Sequence, residues 1–184
     1  MSEDGTLNAI DRAAMLAQVE AWSAINTGTA NLAGLAEQAA GLARAFSALP
    51  GAIALVDPAP VTAVAADGSA FDKPHGQHLV VRVRPEANRR ILLTGHMDTV
   101  FPADHAFQRQ TWLDGETLNG PGVADMKGGI AVMLHALLAF EASASAPSLG
   151  YDVLINSDEE TGSLASAGLI AELAQGKMAA LTYE

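Results

Sequence analysis

The feature that most constrains the fold is a change in hydrophobic period at about residue 52. Before it, apolar residues recur at spacings of three and four over 10–22 and again over 32–49, which predicts two amphipathic helices. Pro50-Gly51 ends the second of them. After it, short runs rich in β-branched residues begin, a pattern typical of strands. The chain therefore has to combine helices with a sheet.

The rest of the chain alternates strands with helices. We predict strands over 52–56, 61–65, 79–83, 91–94, 151–156 and 178–183. We predict further helices over 126–143 and 163–175. The strands 79–83 and 91–94 are expected to form a hairpin, because only turn-forming residues separate them. The alternation predicts the α/β class, with a mostly parallel, mixed sheet covered by helices.

Composition excludes several classes of function. A chain of 184 residues, 49% of them hydrophobic, is long enough for one domain with a buried core. Its formal charge of -11 has the wrong sign for binding nucleic acid or an anionic membrane, so we expect neither partner. The sequence has no cysteine, which excludes a disulfide scaffold, a thiolate zinc site and a cysteine nucleophile. It also lacks a signal-like start and an apolar run of about 20 residues, so we expect a cytoplasmic protein.

Acidic residues follow three of the predicted strands at their carboxyl ends. His96 and Asp98 follow the strand 91–94, the run 158–160 follows 151–156, and Glu184 ends the last strand. Asp125 lies in a glycine-rich turn that leads into the predicted helix 126–143. In open α/β sheets, ligands bind at the carboxyl ends of the strands. We therefore expect these side chains to share one edge of the sheet.

Each of these acidic segments also has an ordinary structural interpretation. Asp125 is suited to capping a helix, 158–160 to a solvated turn, and Glu184 to a frayed terminus. Together, however, one histidine and at least four carboxylates would repel strongly without a cation. Nitrogen and oxygen ligands without sulfur suit zinc, and also cobalt or manganese. Two such ions about 3.5–4 Å apart can share one bridging carboxylate, such as Asp125.

Other catalytic and binding motifs do not match. Lys127 precedes the glycines of its turn, and the turn lacks the Ser or Thr of a phosphate-binding loop. Asp125 stands where a dinucleotide-binding motif needs its third glycine. The sequence contains no Gly-x-Ser-x-Gly elbow of the serine hydrolases. The remaining histidines are interpreted as structural: His135 as a core or boundary residue, and 75, 78 and 105 as surface positions.

Three segments together resemble one family of enzymes. They are Thr94-Gly-His96-Met-Asp98-Thr-Val100, Gly120-Pro-Gly-Val-Ala-Asp125-Met-Lys-Gly-Gly129 and Asn156-Ser-Asp-Glu159-Glu160-Thr-Gly162. In this order they resemble the co-catalytic zinc exopeptidases and amidohydrolases. That family includes glutamate carboxypeptidase, aminoacylase, acetylornithine deacetylase and succinyl-diaminopimelate desuccinylase. The acidic run and the Thr-Tyr-Glu ending are most similar to the glutamate carboxypeptidase branch.

The resemblance implies a ligand set for two zinc ions. His96 and Glu184 would bind the first ion, and Glu160 the second. Asp125 would bridge the two ions. The resemblance also implies a cis peptide bond after Asp125, which would turn its carboxylate toward both metals.

The resemblance further implies which residues are catalytic. Asp98 would orient the histidine ligand, and Glu159 would be the general base that takes a proton from the attacking water and returns it to the leaving amine. The expected reaction is hydrolysis of an amide bond in a small peptide or an N-acyl amino acid.

The resemblance also implies that this chain covers only the N-terminal part of a catalytic domain. Family members continue into a lid or dimerisation domain and then into a further catalytic segment, which supplies a second histidine ligand. We therefore expect the isolated chain to bind at most one zinc ion tightly and to be inactive, and its parent protein to be a homodimer. A non-catalytic protein that keeps the fold to bind a metal or a partner is the alternative.

Overall fold

The structure, a computed structural model, describes residues 10–184. Its helices are α1 (Arg12–Ser23), α2 (Leu32–Phe46), α3 (Gly128–Glu141) and α4 (Ala167–Ala174). Its strands are β1 (Ala52–Val56), β2 (Thr62–Val64), β3 (Ala70–Asp72), β4 (His78–Val83), β5 (Arg90–His96), β6 (Thr111–Trp112), β7 (Leu118–Asn119), β8 (Gly150–Asn156) and β9 (Ala179–Thr182). Residues 1–9, which bear on the expected lack of a signal sequence, lie outside the described part.

Five strands form the main sheet in the order β1-β4-β8-β5-β9. β8 pairs in parallel with β5, and β5 in parallel with β9, whereas β1, β4 and β8 are antiparallel neighbours. The predicted α/β class with a mixed, helix-covered sheet is confirmed. The parallel part is confined to β8, β5 and β9, so the carboxyl ends of these three strands meet at one edge of the sheet.

The predicted hairpin between β4 and β5 is wrong. β8 lies between these two strands and pairs with both of them. All seven residues of β8 are buried, and it carries the apolar run that fills the centre of the sheet. In this position, side chains of β8 belong to the apolar clusters on both faces of the sheet.

Alternating side chains divide the core between the two faces of the sheet. One face contacts α1, α2 and α3 through a large cluster that includes Leu79, Val81, Leu93, Val153 and Ile155. The other face packs against α4 through a small cluster of Val80, Leu92, Leu154 and Leu173. The period-two pattern within each strand thus sends successive residues to different helices.

Two small hairpins lie outside the main sheet. β2 pairs with β3 around the turn at Asp67-Gly68, and β6 pairs with β7 around Asp114-Gly115. The sequence predicted both turns but not β3, β6 or β7. The three residues of β3 are all exposed and show no burial pattern. Neither hairpin carries a residue of the candidate site.

The segment Val123–Glu141 is long and apolar enough to span a membrane by length and composition. In the structure, Ile130, Met133 and Leu134 on its α3 part are buried in the main core. Packing against the sheet therefore accounts for its apolar composition. α3 begins directly after the turn that carries Asp125, so core packing also fixes that turn.

Candidate metal centre

His96 is the last residue of β5, at the edge where the parallel strands end. Its side chain is 2% exposed. Ring atom Nδ1 lies 3.1 Å from the backbone carbonyl oxygen of Asp98 and 3.3 Å from carboxylate atom Oδ1 of the same residue. Ring atom Nε2 lies 2.9 Å from Oδ1 of Asp125. Asp98 therefore holds one ring nitrogen, and the other faces the carboxylates.

Asp98 joins three parts of the chain through one buried carboxylate. Its Oδ1 accepts a hydrogen bond from the backbone N–H of Glu159 at 3.2 Å. Its Oδ2 accepts from the backbone N–H of Glu160 at 3.2 Å and from the hydroxyl of Thr29 at 2.7 Å. The carboxylate thus connects the end of β5, the turn after β8 and the loop between α1 and α2.

Asp125 comes from the turn Val123–Lys127, which precedes α3. Gly122 opens this turn with a φ of +71°, a conformation that favours glycine. The peptide bond between Asp125 and Met126 is cis, as predicted. The Asp125 side chain is 60% exposed, in contrast to the histidine that it contacts.

Lys127 fastens this turn to the rest of the domain. Its ammonium group is buried and donates to the backbone carbonyls of Trp22 at 3.1 Å and Ile25 at 2.9 Å, at the end of α1. Burial lowers the pKa of Lys127 to about 8. This contact gives the lysine a structural role, in agreement with the rejection of a phosphate-binding loop.

The turn after β8 directs two glutamates away from the core. Asp158, which precedes them, is fully buried, and its Oδ2 accepts from the backbone N–H groups of Ala165 at 2.7 Å and Ser166 at 3.3 Å. These bonds hold the segment that leads into α4. Asp158 therefore ties down the turn, and Glu159 and Glu160 remain partly exposed at the sheet edge.

The structure groups three of the predicted ligands. Single ligand atoms of His96, Asp125 and Glu160 all lie within 4.8 Å of one another. Oε2 of Glu159 lies 4.0 Å from Nε2 of the histidine. His96, Glu159 and Glu184 line a cavity of about 150 Å³ at this edge, but Glu184 is not a member of the three-residue group. Within the described residues, Glu160 thus lies with His96 and Asp125 in one group, and the assignment of each ligand to an ion stays a prediction.

The charges of these groups favour a cation. Burial by itself would lower the pKa of His96, but the hydrogen bond to Asp98 and the negative charges of Asp98, Asp125 and Glu159 raise it to about 9. Burial and the charge of Asp125 raise the pKa of Glu160. A divalent ion would take the place of the histidine proton and offset the repulsion between carboxylates. One nitrogen donor and two carboxylates within reach of one point fit such an ion.

Two of the remaining histidines are not where the sequence placed them. His78 and His75 are 1% and 8% exposed, so the prediction that both are surface residues is wrong. His78 begins the interior strand β4, and its Nδ1 lies 3.3 Å from the hydroxyl of Ser157. Burial lowers the pKa of His78. The partly buried His135 contacts Gln18 and the exposed His105 is at the surface, both as predicted.

Sequence reasoning also missed Thr29, which contacts Asp98 directly. The segment Asn26-Thr-Gly-Thr-Ala-Asn31 carries a signal that could have marked it, because small polar residues with a glycine between two helices form a structured loop. Nothing in that segment, however, shows which distant residue the loop contacts.

Comparison with known proteins gives one family match and several relatives. The profile of the family described as Peptidase family M20/M25/M40 matches residues 92–183. Carboxypeptidase G2 of Pseudomonas sp. (strain RS-16) is 35% identical over 109 residues, which cover 59% of this chain and 26% of the relative. A succinyl-diaminopimelate desuccinylase of Methylobacterium sp. (strain 4-46) is 41% identical over 76 residues, which cover 38% of this chain and 19% of the relative. The matched regions therefore span about a quarter or less of these relatives.

Solved structures share the fold. Human carnosine dipeptidase 1 aligns with a TM-score of 0.76 at 20% identity, over 98% of this chain and 41% of that one. An M20 family metallo-carboxypeptidase from Sulfolobus solfataricus aligns with a TM-score of 0.69 at 17% identity, over 94% of this chain and 37% of that one. At these identities the alignments establish the fold alone.

Proposed function

Since the chain belongs to Peptidase family M20/M25/M40, we propose that the whole protein hydrolyses an amide bond in a small peptide or an N-acyl amino acid with the help of bound zinc. The residues described here would supply part of the metal site and the general base. The names of the matched proteins, which are those of a carboxypeptidase, a desuccinylase and a dipeptidase, support this class of substrate.

The observation that carries the proposal is the three-residue group at the edge of the sheet. His96, Asp125 and Glu160 reach it from three separate segments, and their ligand atoms lie within 4.8 Å of one another. Asp98 fixes the tautomer and orientation of the histidine from behind. Such convergence on one point is typical of a zinc site with nitrogen and oxygen ligands.

Hydrolysis also needs a general base beside the metal ligands, and Glu159 lies in that position. It is held by the hydrogen bond from its backbone N–H to Asp98, and its partly exposed carboxylate faces the cavity. When bound, zinc supplies a Lewis acid that polarises the scissile carbonyl and lowers the pKa of water toward roughly 7. Glu159 accepts the proton of the attacking water and delivers it to the amine that leaves.

The remaining features of the proposal concern the whole protein. It would hold two metal ions bridged by Asp125, with Glu184 as a further ligand and with ligands from a segment beyond the matched region. It would act in the cytoplasm as a homodimer. This chain by itself would bind one ion tightly and would not turn over substrate, because the further ligands of the second ion would come from outside the matched region.

The experiment is to replace Glu159 by Gln in the whole protein. Hydrolysis of dipeptides and N-acyl amino acids should fall by about 10² to 10⁴ fold, while zinc content is unchanged, because the residue moves a proton and does not bind the metal. Glu172→Gln is the matched control, since this exposed glutamate lies on α4 and pairs with Arg82 on the sheet. Its activity should equal that of the wild type.

An unchanged rate in Glu159→Gln would contradict the assignment of the base. A whole protein that binds zinc but cleaves none of these substrates would instead support the alternative of a non-catalytic metal-binding protein.

A further inference from the structure

The loop between α1 and α2 reaches the candidate metal centre through one side chain. The hydroxyl of Thr29 donates to Oδ2 of Asp98 at 2.7 Å. This distance is within the range of about 2.5–2.7 Å that is usual for a hydroxyl bonded to a charged carboxylate. The two residues are 69 positions apart in the chain, so the contact is a product of the tertiary fold.

Both carboxylate oxygens of Asp98 have partners at hydrogen-bond distance. Oδ1 is engaged by the ring of His96 and by the backbone N–H of Glu159. Oδ2 has the backbone N–H of Glu160 at 3.2 Å and the hydroxyl of Thr29 at 2.7 Å. Of these two donors, the hydroxyl is the one that belongs to a side chain, and it restrains the rotation of the carboxylate about its χ2 angle.

That rotation matters for three groups at once. The same carboxylate holds the histidine ring on one side and the backbone of both glutamates on the other. If the Asp98 carboxylate rotated, the ring of His96 and the carboxylates of Glu159 and Glu160 would no longer be held in fixed positions. Outer residues of this kind commonly change metal affinity by about 10 to 100 fold.

The loop that carries Thr29 is itself firmly held. Asn26 accepts hydrogen bonds on Oδ1 from Gly28 and Asn31, and it donates from Nδ2 to the backbone carbonyl of Phe101 at 3.0 Å. The backbone N–H of Thr99 donates to the carbonyl of residue 27 at 3.0 Å. The loop is thus attached to the segment that follows β5, and it presents the threonine hydroxyl at a fixed position.

We propose that Thr29 is a positioning residue of the metal centre, whose hydroxyl orients Asp98 and through it both His96 and the turn that carries Glu159 and Glu160. This inference rests on the proposed function, since it assumes that these groups bind zinc. It predicts that the hydroxyl, and not the bulk of the side chain, supports metal binding.

The test compares three variants of this chain. Thr29→Val keeps the shape and removes the hydroxyl, and Thr29→Ser keeps the hydroxyl and removes the methyl group. Thr27→Val is the matched control from the same loop, because the hydroxyl of Thr27 is buried and has no hydrogen-bond partner among the described residues. Zinc affinity is measured by competition with a chromophoric chelator, and the visible absorption spectrum is recorded with Co²⁺ as the probe.

We expect Thr29→Val to bind zinc about tenfold more weakly and to change the intensity of the Co²⁺ bands. Thr29→Ser and Thr27→Val should stay within about threefold of the wild type, with unchanged spectra. The cobalt spectrum reports ligand geometry, which a general loss of stability in a still folded chain does not alter. Circular dichroism of each metal-free variant checks folding, and Thr29→Ala replaces the valine variant if that one does not fold.

Three outcomes would overturn the inference. Wild-type affinity and spectrum in Thr29→Val would show that the hydroxyl is not needed. Equal losses in the valine and serine variants would assign the effect to packing. Failure of the wild-type chain to bind either Zn²⁺ or Co²⁺ would instead remove the proposed metal site itself, so the two failures are distinguishable.

Discussion

The two halves of the candidate metal centre differ in how the protein holds them. The side chains of His96 and Asp98 are 2% and 0% exposed, and each has several partners at hydrogen-bond distance. The side chains of Asp125 and Glu159 are 60% and 44% exposed, and within residues 10–184 each has at most one protein partner, His96. The first half is thus ordered by the fold, whereas the second consists of charges that repel one another.

This difference indicates a division of labour between the protein and a cation. The buried side chains become ordered when the chain folds. Metal binding therefore does not have to pay the entropy of fixing them. The exposed carboxylates gain a fixed geometry only when an ion attracts them. Experiments that remove one half or the other should therefore give different results for stability and for metal affinity.

The largest difference is expected when one carboxylate from each half is removed. In the metal-free chain, Asp98→Ala should lower the free energy of unfolding by about 3–5 kcal/mol, because it removes the buried carboxylate beside the charged His96 and leaves two backbone N–H groups without their partner. Asp125→Ala should change it by less than about 1 kcal/mol, because the Asp125 side chain is largely exposed and its loss also relieves repulsion with Glu160. Urea denaturation with excess chelator measures both, and equal effects would refute the contrast.

A somewhat smaller effect is expected from pH. The pKa of His96 is about 9 in the metal-free folded chain, above its ordinary value of 6.5, so its protonation stabilises the fold. This stabilisation is fully present below pH 6.5 and is lost as the pH rises through 9. The difference in unfolding free energy between the wild type and His96→Asn should therefore fall by about 3 kcal/mol over that range.

The variant serves as the reference because Lys127, with a pKa of about 8, contributes a trend of opposite sign in both proteins. A difference that stays constant from pH 6 to 10 would show that the histidine is not charged in the folded chain. Zinc affinity should rise over the same range, since the ion needs the unprotonated ring nitrogen.

Zinc itself should stabilise the chain by a comparable amount. At a free concentration of one hundred times Kd, binding to the folded state adds about 2.7 kcal/mol, and chelation should remove it. The rise in Tm should disappear in the chain with both His96→Asn and Asp125→Asn, which lacks two members of the three-residue group. An equal rise in that double variant would place the bound ion elsewhere.

The smallest effect separates Glu160 from Glu184. The geometry of this chain groups Glu160 with His96 and Asp125, and Glu184 lines the cavity outside that group. Glu160→Gln should therefore weaken zinc binding by about tenfold, or about 1.4 kcal/mol, and Glu184→Gln by less than about threefold. Isothermal titration calorimetry with zinc measures the affinity of both variants. The reverse order would restore the ligand set implied by the family resemblance.

Much of the fold follows from the sequence because strands and helices are local. The bounds of β1, β8 and β9 agree with the predicted runs to within one or two residues, and the meeting of three strand ends followed from their parallel order. The neighbours of β4 did not follow, because the sequence does not show that β8 lies between β4 and β5. Burial of His78 was missed for a related reason, since a polar residue at a strand start gives no sign of being central.

The site shows the same limit. A histidine and an aspartate two residues apart at a strand end suggested their pairing, and the contact is present. Their metal and catalytic roles stay predictions. The contact from Thr29 to Asp98 joins two loops far apart in the chain, and only the packing of α1 and α2 on the sheet brings those loops together. Long-range hydrogen bonds of this kind have no local pattern.

The glycine at position 129 has a consequence for reading related sequences. A Cβ atom there would overlap the backbone carbonyl oxygen of Tyr183, the residue just before Glu184. The first turn of α3, which follows Asp125, and the end of β9 are therefore in direct backbone contact. Any larger residue at this position requires the last strand to take another path, which would move Glu184 away from the cavity. Position 129 thus serves as a marker: a homologue without glycine there should be inspected first for a different ligand at the end of β9, before its acidic motifs are taken as a sign of the same site.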